Sequence, residues 1–356
     1  MGDLIPILVT GGGAPGIAGT IASLRNNPDG TCFRILATDI NDNVPGKYIA
    51  DSFATVPAPE HDEYIPALLD ITEKERISAL LPQTTREINV LSKHAQRFEN
   101  VGIRVVVSSH DAITLANDKY LLVREAEQCG VPCPEYVLTD SRNSLLDALD
   151  ALGYPERKVV VKPRVSNGMR GLRIISEEPW TVSDFLGRKP EGVEIRRDAL
   201  LDILGNGDWP ELMVSAYLPG REYTVDAFRG VKGSVVIPRT RDTIRSGITF
   251  ETTVDLRRDL IEYTETLAEH IGLRYCFGFQ FKLAENGVPH LLESNPRVQG
   301  TMAASAYAGF NMIYHAVTEA LGYPADPGTT ELVDGVTFKR YWGGIACDGD
   351  NCLGTI

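Results

Sequence analysis

Apolar and polar residues alternate through Phe279-Gln280-Phe281-Lys282-Leu283, break at Asn286-Gly287, and resume as an apolar run over 288–292. Period two predicts a strand on each side of a turn, and Asn-Gly is the turn signal because both residues tolerate positive φ. The second strand runs straight into Glu293-Ser294-Asn295-Pro296-Arg297. Earlier in the chain, short apolar runs at 5–9, 33–37, 77–81 and 101–107 alternate with helical patterns at 17–25, 62–75 and 86–100. That alternation predicts a small doubly wound α/β domain. From Asp111 the character changes. A helix is expected over 120–129, stopped by Gly130-Val131-Pro132-Cys133-Pro134, with further helices over 144–152 and near 194–204. Strands are expected at 158–162, 172–176, either side of a short linker within 211–226, and from Val235 up to the arginines at 239 and 241.

At 356 residues the chain is long for one core, so two or three domains are expected. It is 43% hydrophobic, yet no apolar run is long enough to cross a bilayer. The start, MGDLIPILVTGGG, reads as a buried strand and lacks the flanks of a signal peptide, so a cytoplasmic protein is expected. A net charge of −13 argues against a nucleic-acid partner and favours small-molecule substrates. The six cysteines, at 32, 129, 133, 276, 347 and 352, match no zinc spacing and are read as reduced thiols; Cys347 and Cys352 are expected to be exposed.

Three stretches carry candidate chemistry. Glu293 and Asn295, two apart in extended chain, point to one side, and Gln280 lies across the hairpin from them. Three oxygen donors suit Mg²⁺, and Arg297 just beyond suits a phosphoryl oxygen. The strand Val159-Val160-Val161-Lys162-Pro163 delivers a lysine to the loop Arg164-Val165-Ser166-Asn167-Gly168-Met169-Arg170-Gly171, whose backbone N–H groups suit a triphosphate. The order Ser215-Ala216-Tyr217-Leu218 then Glu222 offers backbone groups to an adenine edge and a carboxylate to a ribose. Weaker signals lie elsewhere. Gly11-Gly12-Gly13-Ala14-Pro15-Gly16 matches G-x-G-x-x-G, but its acid, Asp39, comes 28 residues after Gly11, and Pro15 interrupts the loop. Gln83, Thr84, Thr85 and Glu87 follow a strand end, where such sheets bind ligands. Arg239 and Arg241 sit one residue apart with no acidic partner near in sequence, a possible fork for a carboxylate or a solvated edge.

Taken together, Asp118-Lys119, Val161-Lys162-Pro163 with 166–171, the hinge 215–222 and Leu292-Glu293-Ser294-Asn295-Pro296-Arg297 resemble, in order and spacing, the ATP-grasp superfamily, over about 117–323 and the α/β domain before it. Within it the sequence is most similar to a single module of the carbamoyl-phosphate synthase large chain, which shares a glutamine at the position of Gln280. The hinge departs from the family: Ser215 stands where a glutamate often meets adenine. The resemblance implies an α/β and α+β architecture, a Rossmann-like pre-ATP-grasp domain followed by a two-lobed ATP-grasp module. Expected boundaries are 1–112 for the first domain, 113–133 with 215–330 for the C-terminal lobe and its connecting helix, 134–214 for a lid, and 331–356 for a tail.

What the resemblance implies about chemistry is an ATP-dependent ligase joining a carboxylate to an amine or similar nucleophile through an acyl phosphate, releasing ADP and phosphate. It places Lys119, Lys162, Ser166, Gly168, Gly171, Ser215, Ala216, Tyr217, Leu218, Glu222 and Leu292 around ATP. It places Gln280, Glu293 and Asn295 on Mg²⁺ (or Mn²⁺), and Arg297, Lys162 and Arg170 at the transferring phosphoryl group. Arg239 and Arg241 are candidate holders of the carboxylate substrate. One grasp module is expected, without the tandem pair and glutaminase partner of carbamoyl-phosphate synthesis. Small carboxylates and amines are the expected partners, with no membrane or nucleic acid, and a homodimer is compatible. Two alternatives stay open: an NAD(P)-dependent oxidoreductase or epimerase using the Gly11–Gly16 loop, and a nucleotide-binding regulatory protein without chemistry.

Overall fold

A computed structural model describes residues 4–166, 168–178, 181–187, 193–205, 208–341, 343–349 and 351–355. Strands β1 (Ile5–Val9), β2 (Phe33–Asp39), β3 (Ser52–Thr55), β4 (Ala79–Leu81) and β5 (Arg104–Val105) form a parallel sheet in the order β3-β2-β1-β4-β5. Helices α1 (Ile17–Arg25), α2 (Pro45–Ile49), α3 (Tyr64–Lys74) and α4 (Thr85–Glu99) connect them, and α5 (His110–Asn117) follows. The strand order reverses beside β1, as in doubly wound sheets, and the N-terminal expectation holds.

Two compact units divide the chain. One comprises Met1–Ala116, Tyr223–Gln280 and Ser294–Ile356; the other comprises Asn117–Glu222 and Phe281–Glu293. The second unit holds α6 (Lys119–Gln128), β6 (Tyr136–Thr139), α7 (Arg142–Ala151), β7 (Val159–Pro163), β8 (Arg173–Ile175), α8 (Val182–Gly187), β9 (Glu194–Ile195), α9 (Arg197–Leu204) and β10 (Leu212–Ala216). Its sheet runs β6-β10-β7-β8-β9, so β7, which carries Lys162, is an interior strand. Val159, Val161, Ile175, Leu212 and Val214 from that sheet meet Leu145, Leu149, Leu200 and Leu201 from the helices in one core. The connecting helix α6 and the end of the 279–297 hairpin thus fall with the residues 134–214 read from sequence as a lid.

The remaining elements are β11 (Glu222–Gly230), β12 (Gly233–Thr240), β13 (Thr243–Arg245), β14 (Ile248–Thr253), α10 (Arg258–Ile271), β15 (Tyr275–Leu283), β16 (Pro289–Asn295) and α11 (Met312–Ala320), with Phe281–Glu293 of β15 and β16 counted in the second unit. Strands β17 (Thr337–Lys339), β18 (Ile345–Asp348) and β19 (Asn351–Thr355) follow. The order β12-β11-β15-β16 builds the sheet that carries the 279–297 hairpin. Phe279 and Phe281 are fully buried, while Gln280 between them is half-buried, which is the alternation the sequence predicts. Gly287 alone uses positive φ (+78°), and the Gly287 N–H donates to the Ala284 carbonyl at 2.9 Å, so the turn is tight without Asn286 entering the left-handed region.

One core joins Ile7, Val9, Ile17 and Ile21 of the parallel-sheet domain to Met302, Phe310, Ile313 and Val317 from the C-terminal third. Asn311 clamps this packing: its Nδ2 donates to the Ser23 carbonyl at 2.8 Å while its Oδ1 caps α11. The segment after residue 330 is more than a tail. Strand β17 pairs with β14, and Arg340 reaches back to the Pro15 carbonyl at 3.1 Å and to the Gly300 carbonyl.

Candidate functional site

Within the second unit, two lysines and a loop come together. Asp118 caps α6, its Oδ1 accepting from the N–H groups of Tyr120 and Leu121, so Lys119 is fixed in the first turn. The Lys119 ammonium donates to the Ser166 carbonyl at 2.8 Å and to the Ser166 hydroxyl at 3.1 Å. Lys162 donates from Nζ to the Leu292 carbonyl at 2.9 Å, directly before Glu293. Both lysines are buried, 4% and 6% exposed. Burial pushes the Lys162 amine down to about 8, with Lys119 pushing the same way and the Glu293 carboxylate opposing. Burial also lowers Lys119, again against Glu293. Two partly desolvated cations facing one carboxylate are a setting in which a polyanion is strongly favoured.

The loop after β7 is held at its base. Arg164 donates to Asp118 Oδ2 at 2.7 Å and to Glu211, so this arginine secures the loop. Gly171 has φ +76°, and a Cβ there would stand 2.5 Å from Pro163 Cγ, so only glycine fits where the loop returns to the strand. Gly168 and Met169 also take positive φ, and Met169 and Arg170 are exposed. Asn167 lies outside the described residues.

The hinge places Ser215 on β10 and Ala216 at its end, with Tyr217 and Leu218 in the irregular stretch before Glu222 opens β11. Ser215 is 3% exposed, packed between β6 and β7. The Lys282 ammonium lies over the Tyr217 ring at 5.0 Å. The Gly220 N–H donates to the Leu283 carbonyl at 3.0 Å, and a Cβ on Gly220 would meet that carbonyl oxygen at 2.5 Å.

In the first unit, Arg297 donates to Asn295 Oδ1 at 3.0 Å, to the Val298 carbonyl at 2.8 Å and to Thr85 Oγ1 at 3.2 Å. Thr85 is the one residue of the 83–87 group that reaches the candidate site. Gln83 accepts from Thr20 Oγ1, while Thr84 and Glu87 form the capping box of α4. Burial raises the Glu87 carboxyl.

Arg241 donates to Gln280 Oε1 at 3.2 Å, to Thr249 Oγ1 at 3.0 Å and to the Gly247 carbonyl at 2.7 Å. Thr249 gives no signal in the sequence, because its contact depends on how the β13–β14 hairpin folds over β12. Arg239 corrects the sequence reading. Asp226, fully buried on β11, accepts from Arg239 Nε at 2.7 Å and from Gln299 Nε2 at 2.9 Å. At 2% exposure Arg239 is a structural ion pair, not part of a carboxylate fork. Arg239→Leu is therefore expected to destabilise by about 3–5 kcal/mol, because it strands the Asp226 charge. Urea unfolding measures this. A midpoint equal to wild type would return Arg239 to the list of binding candidates. Gln299 is tied to the same cluster through Gly278, where a Cβ would stand 1.7 Å from Gln299 Nε2.

The glycine loop after β1 is occupied by its own chain. The Gly13 N–H donates to Asp39 Oδ2 at 2.8 Å, so the acid that the fingerprint points to binds the loop itself. Gly16 abuts the Gly300 backbone, and a Cβ on Gly46 would stand 2.7 Å from Gly12 Cα. These glycines serve close packing. Among the described residues no helix is long and apolar enough to cross a membrane.

Known proteins agree with this architecture. Residues 208–340 match the family described as ATP-grasp in the biosynthetic pathway with Ter operon, and residues 7–106 match the PylC-like N-terminal domain. The carbamoyl phosphate synthase large chain of Arthrobacter sp. (strain FB24) is 27% identical over 216 residues, covering 59% of this chain and 18% of that protein. The chain thus spans under a fifth of the length of this curated relative. An ADP complex of N5-carboxyaminoimidazole ribonucleotide synthetase superposes with a TM-score of 0.68 at 17% identity, over 94% of this chain and 81% of that one. The biotin carboxylase domain dimer of Hydrogenobacter thermophilus 2-oxoglutarate carboxylase, in complex with MgADP, ADP and bicarbonate, gives 0.66 at 17%, over 91% and 71%. The likeness to carbamoyl-phosphate synthase expected from the motifs is borne out. The chain thus carries a PylC-like N-terminal domain over residues 7–106 and an ATP-grasp domain over residues 208–340.

Proposed function

We propose that this protein is an ATP-dependent ligase that joins a carboxylate to an amine or similar nucleophile through an acyl phosphate, releasing ADP and phosphate. The observation that carries the reading is Lys162, a buried ammonium on the carbonyl immediately before Glu293, with Lys119 and the glycine loop in the same unit. In this reading Lys119 and Lys162 hold the phosphates of ATP, and the N–H groups of Ser166, Gly168 and Gly171 cover them with Arg170. The stretch Ser215, Ala216, Tyr217 and Leu218 faces adenine with Leu292 beneath it, and Glu222 takes the ribose.

In this reading Gln280, Glu293 and Asn295 would hold magnesium: each offers an oxygen, with a single carboxylate among them, a donor chemistry that suits an ion sharing its ligands with phosphates. The carboxamide oxygens of Gln280 and Asn295 each accept one arginine N–H and keep a second lone pair. Bound magnesium would supply charge neutralisation to the transferring phosphoryl group. Arg297, oriented by Thr85 and Asn295, is in this reading the group that stabilises negative charge on the transferring phosphoryl group and on the acyl phosphate.

Purified protein with ATP, Mg²⁺ and a panel of amino acids and small carboxylates, with and without amines, tests the proposal through ADP release. Release that requires a carboxylate is the expected result. ATP binding without release under any pair would favour the regulatory alternative instead.

Arg241 is the proposed holder of the carboxylate. The three acceptors described fix the plane of its guanidinium beside Gln280. Arg241→Lys is expected to raise KM for the carboxylate about tenfold, the size of one lost charge-assisted hydrogen bond, and to leave KM for ATP near wild type. Equal values for both substrates would move the carboxylate site elsewhere.

A further inference from the structure

The β18–β19 hairpin sets Cys347 opposite Cys352 in antiparallel register, and both are exposed free thiols. Asp348 pairs with Asn351, three positions on in the sequence, and Gly349 has φ +56°. In a two-residue hairpin the residues flanking the turn exchange hydrogen bonds, so the next pair outward is the non-hydrogen-bonded kind. Side chains of such a pair share one face, with Cα atoms about 4.5 Å apart, within the roughly 4.4–6.8 Å that a disulfide spans. The register shifts between Ala346 and Cys347, so the cysteine pair lies between the turn and a bulge. The other cysteines differ. Burial pushes the thiols of Cys129 and Cys276 up, and that of Cys133 up to about 12. Cys32 is exposed but stands in no such pair.

We propose that Cys347 and Cys352 are a reversible dithiol–disulfide pair that reacts with small-molecule disulfides. The thiolate of one cysteine attacks a sulfur of oxidised glutathione, forming a mixed disulfide and releasing one glutathione thiol. The facing cysteine attacks the protein sulfur of that mixed disulfide and releases the second. Two protein S–H bonds become one S–S bond, and the glutathione disulfide is reduced to two thiols, so atoms and electrons balance. The loop closed is short and the bond is exposed, so it adds little stability and stays open to reduction.

The test uses the whole folded chain, equilibrated with oxidised and reduced glutathione at several ratios, quenched with acid and mapped by mass spectrometry. Wild type is expected to lose two hydrogens at these positions, with a peptide link between Cys347 and Cys352 and no retained glutathione there, while Cys32 carries an adduct. Excess reduced glutathione should restore both thiols. Cys352→Ser removes the resolving thiol without touching the core, so glutathione should persist on Cys347 at least about tenfold more than in wild type. Glutathione retained on both cysteines of wild type, unreacted thiols at both, or a link between two chains through them would each overturn the proposal.

Discussion

Glu293→Gln is expected to leave the protein folded and to lower ADP release by about three orders of magnitude, the scale of losing several kcal/mol of charge stabilisation. The residue is half-buried near the end of β16, so its packing contribution is small. Its electrostatic contribution has two parts. It is the one carboxylate among the proposed magnesium donors, and the glutamine leaves three neutral carboxamides there. It also opposes the burial that depresses Lys119 and Lys162. Removing it therefore lowers both amines further, so ATP affinity should fall more at alkaline than at neutral pH. Circular dichroism and urea unfolding check the fold, calorimetry the affinity, and coupled ADP detection the turnover. Wild-type turnover at saturating magnesium would take Glu293 out of the centre of the mechanism.

Local pattern made much of this legible. The 279–297 hairpin follows from period two and a turn glycine, and the glycine loop follows from a β-branched strand that carries Lys162 to its end. What the sequence hides is set by contacts between distant segments. Arg239 looks solitary because its partner, Asp226, is thirteen residues away and meets it only through the β11–β12 pairing, in which Thr224 faces Arg239. The 331–356 segment looks like a tail because β17 is three residues long, yet Arg340 from it secures the carbonyls of Pro15 and Gly300. Asp39 shows a third case. Spacing picks out the right acid, but the fold turns its carboxylate onto the Gly13 N–H. Thr85 is marked by its strand-end position together with Gln83, Thr84 and Glu87, but the sequence does not tell which of the four meets Arg297.

The affinity for ATP should itself depend on pH, through Lys162. An unfolded lysine holds its proton to about 10.4, whereas the buried Lys162 amine loses it at about 8. Between those values the unfolded chain binds more protons, so the cost of the buried charge is fully present below about pH 8 and fades as pH rises toward about 10.4. For the ATP-free protein this residue's contribution to stability thus improves with alkalinity. Binding runs the other way, because a triphosphate needs the ammonium. The dissociation constant for ATP should rise above about pH 8, by up to about tenfold per pH unit. Lys119 titrates in the same direction, so variants are needed to separate the two. Lys162→Arg keeps its charge throughout the range and should flatten the profile by the share that belongs to Lys162. Lys162→Met should weaken ATP about 10- to 100-fold near pH 7, through loss of one or two charge-assisted hydrogen bonds, and should not lower the urea midpoint, since a buried cation gives way to an apolar chain of similar length. A wild-type dissociation constant that stays flat across this range, or a Lys162→Met variant that binds ATP as wild type does, would show that the phosphates are held without this lysine.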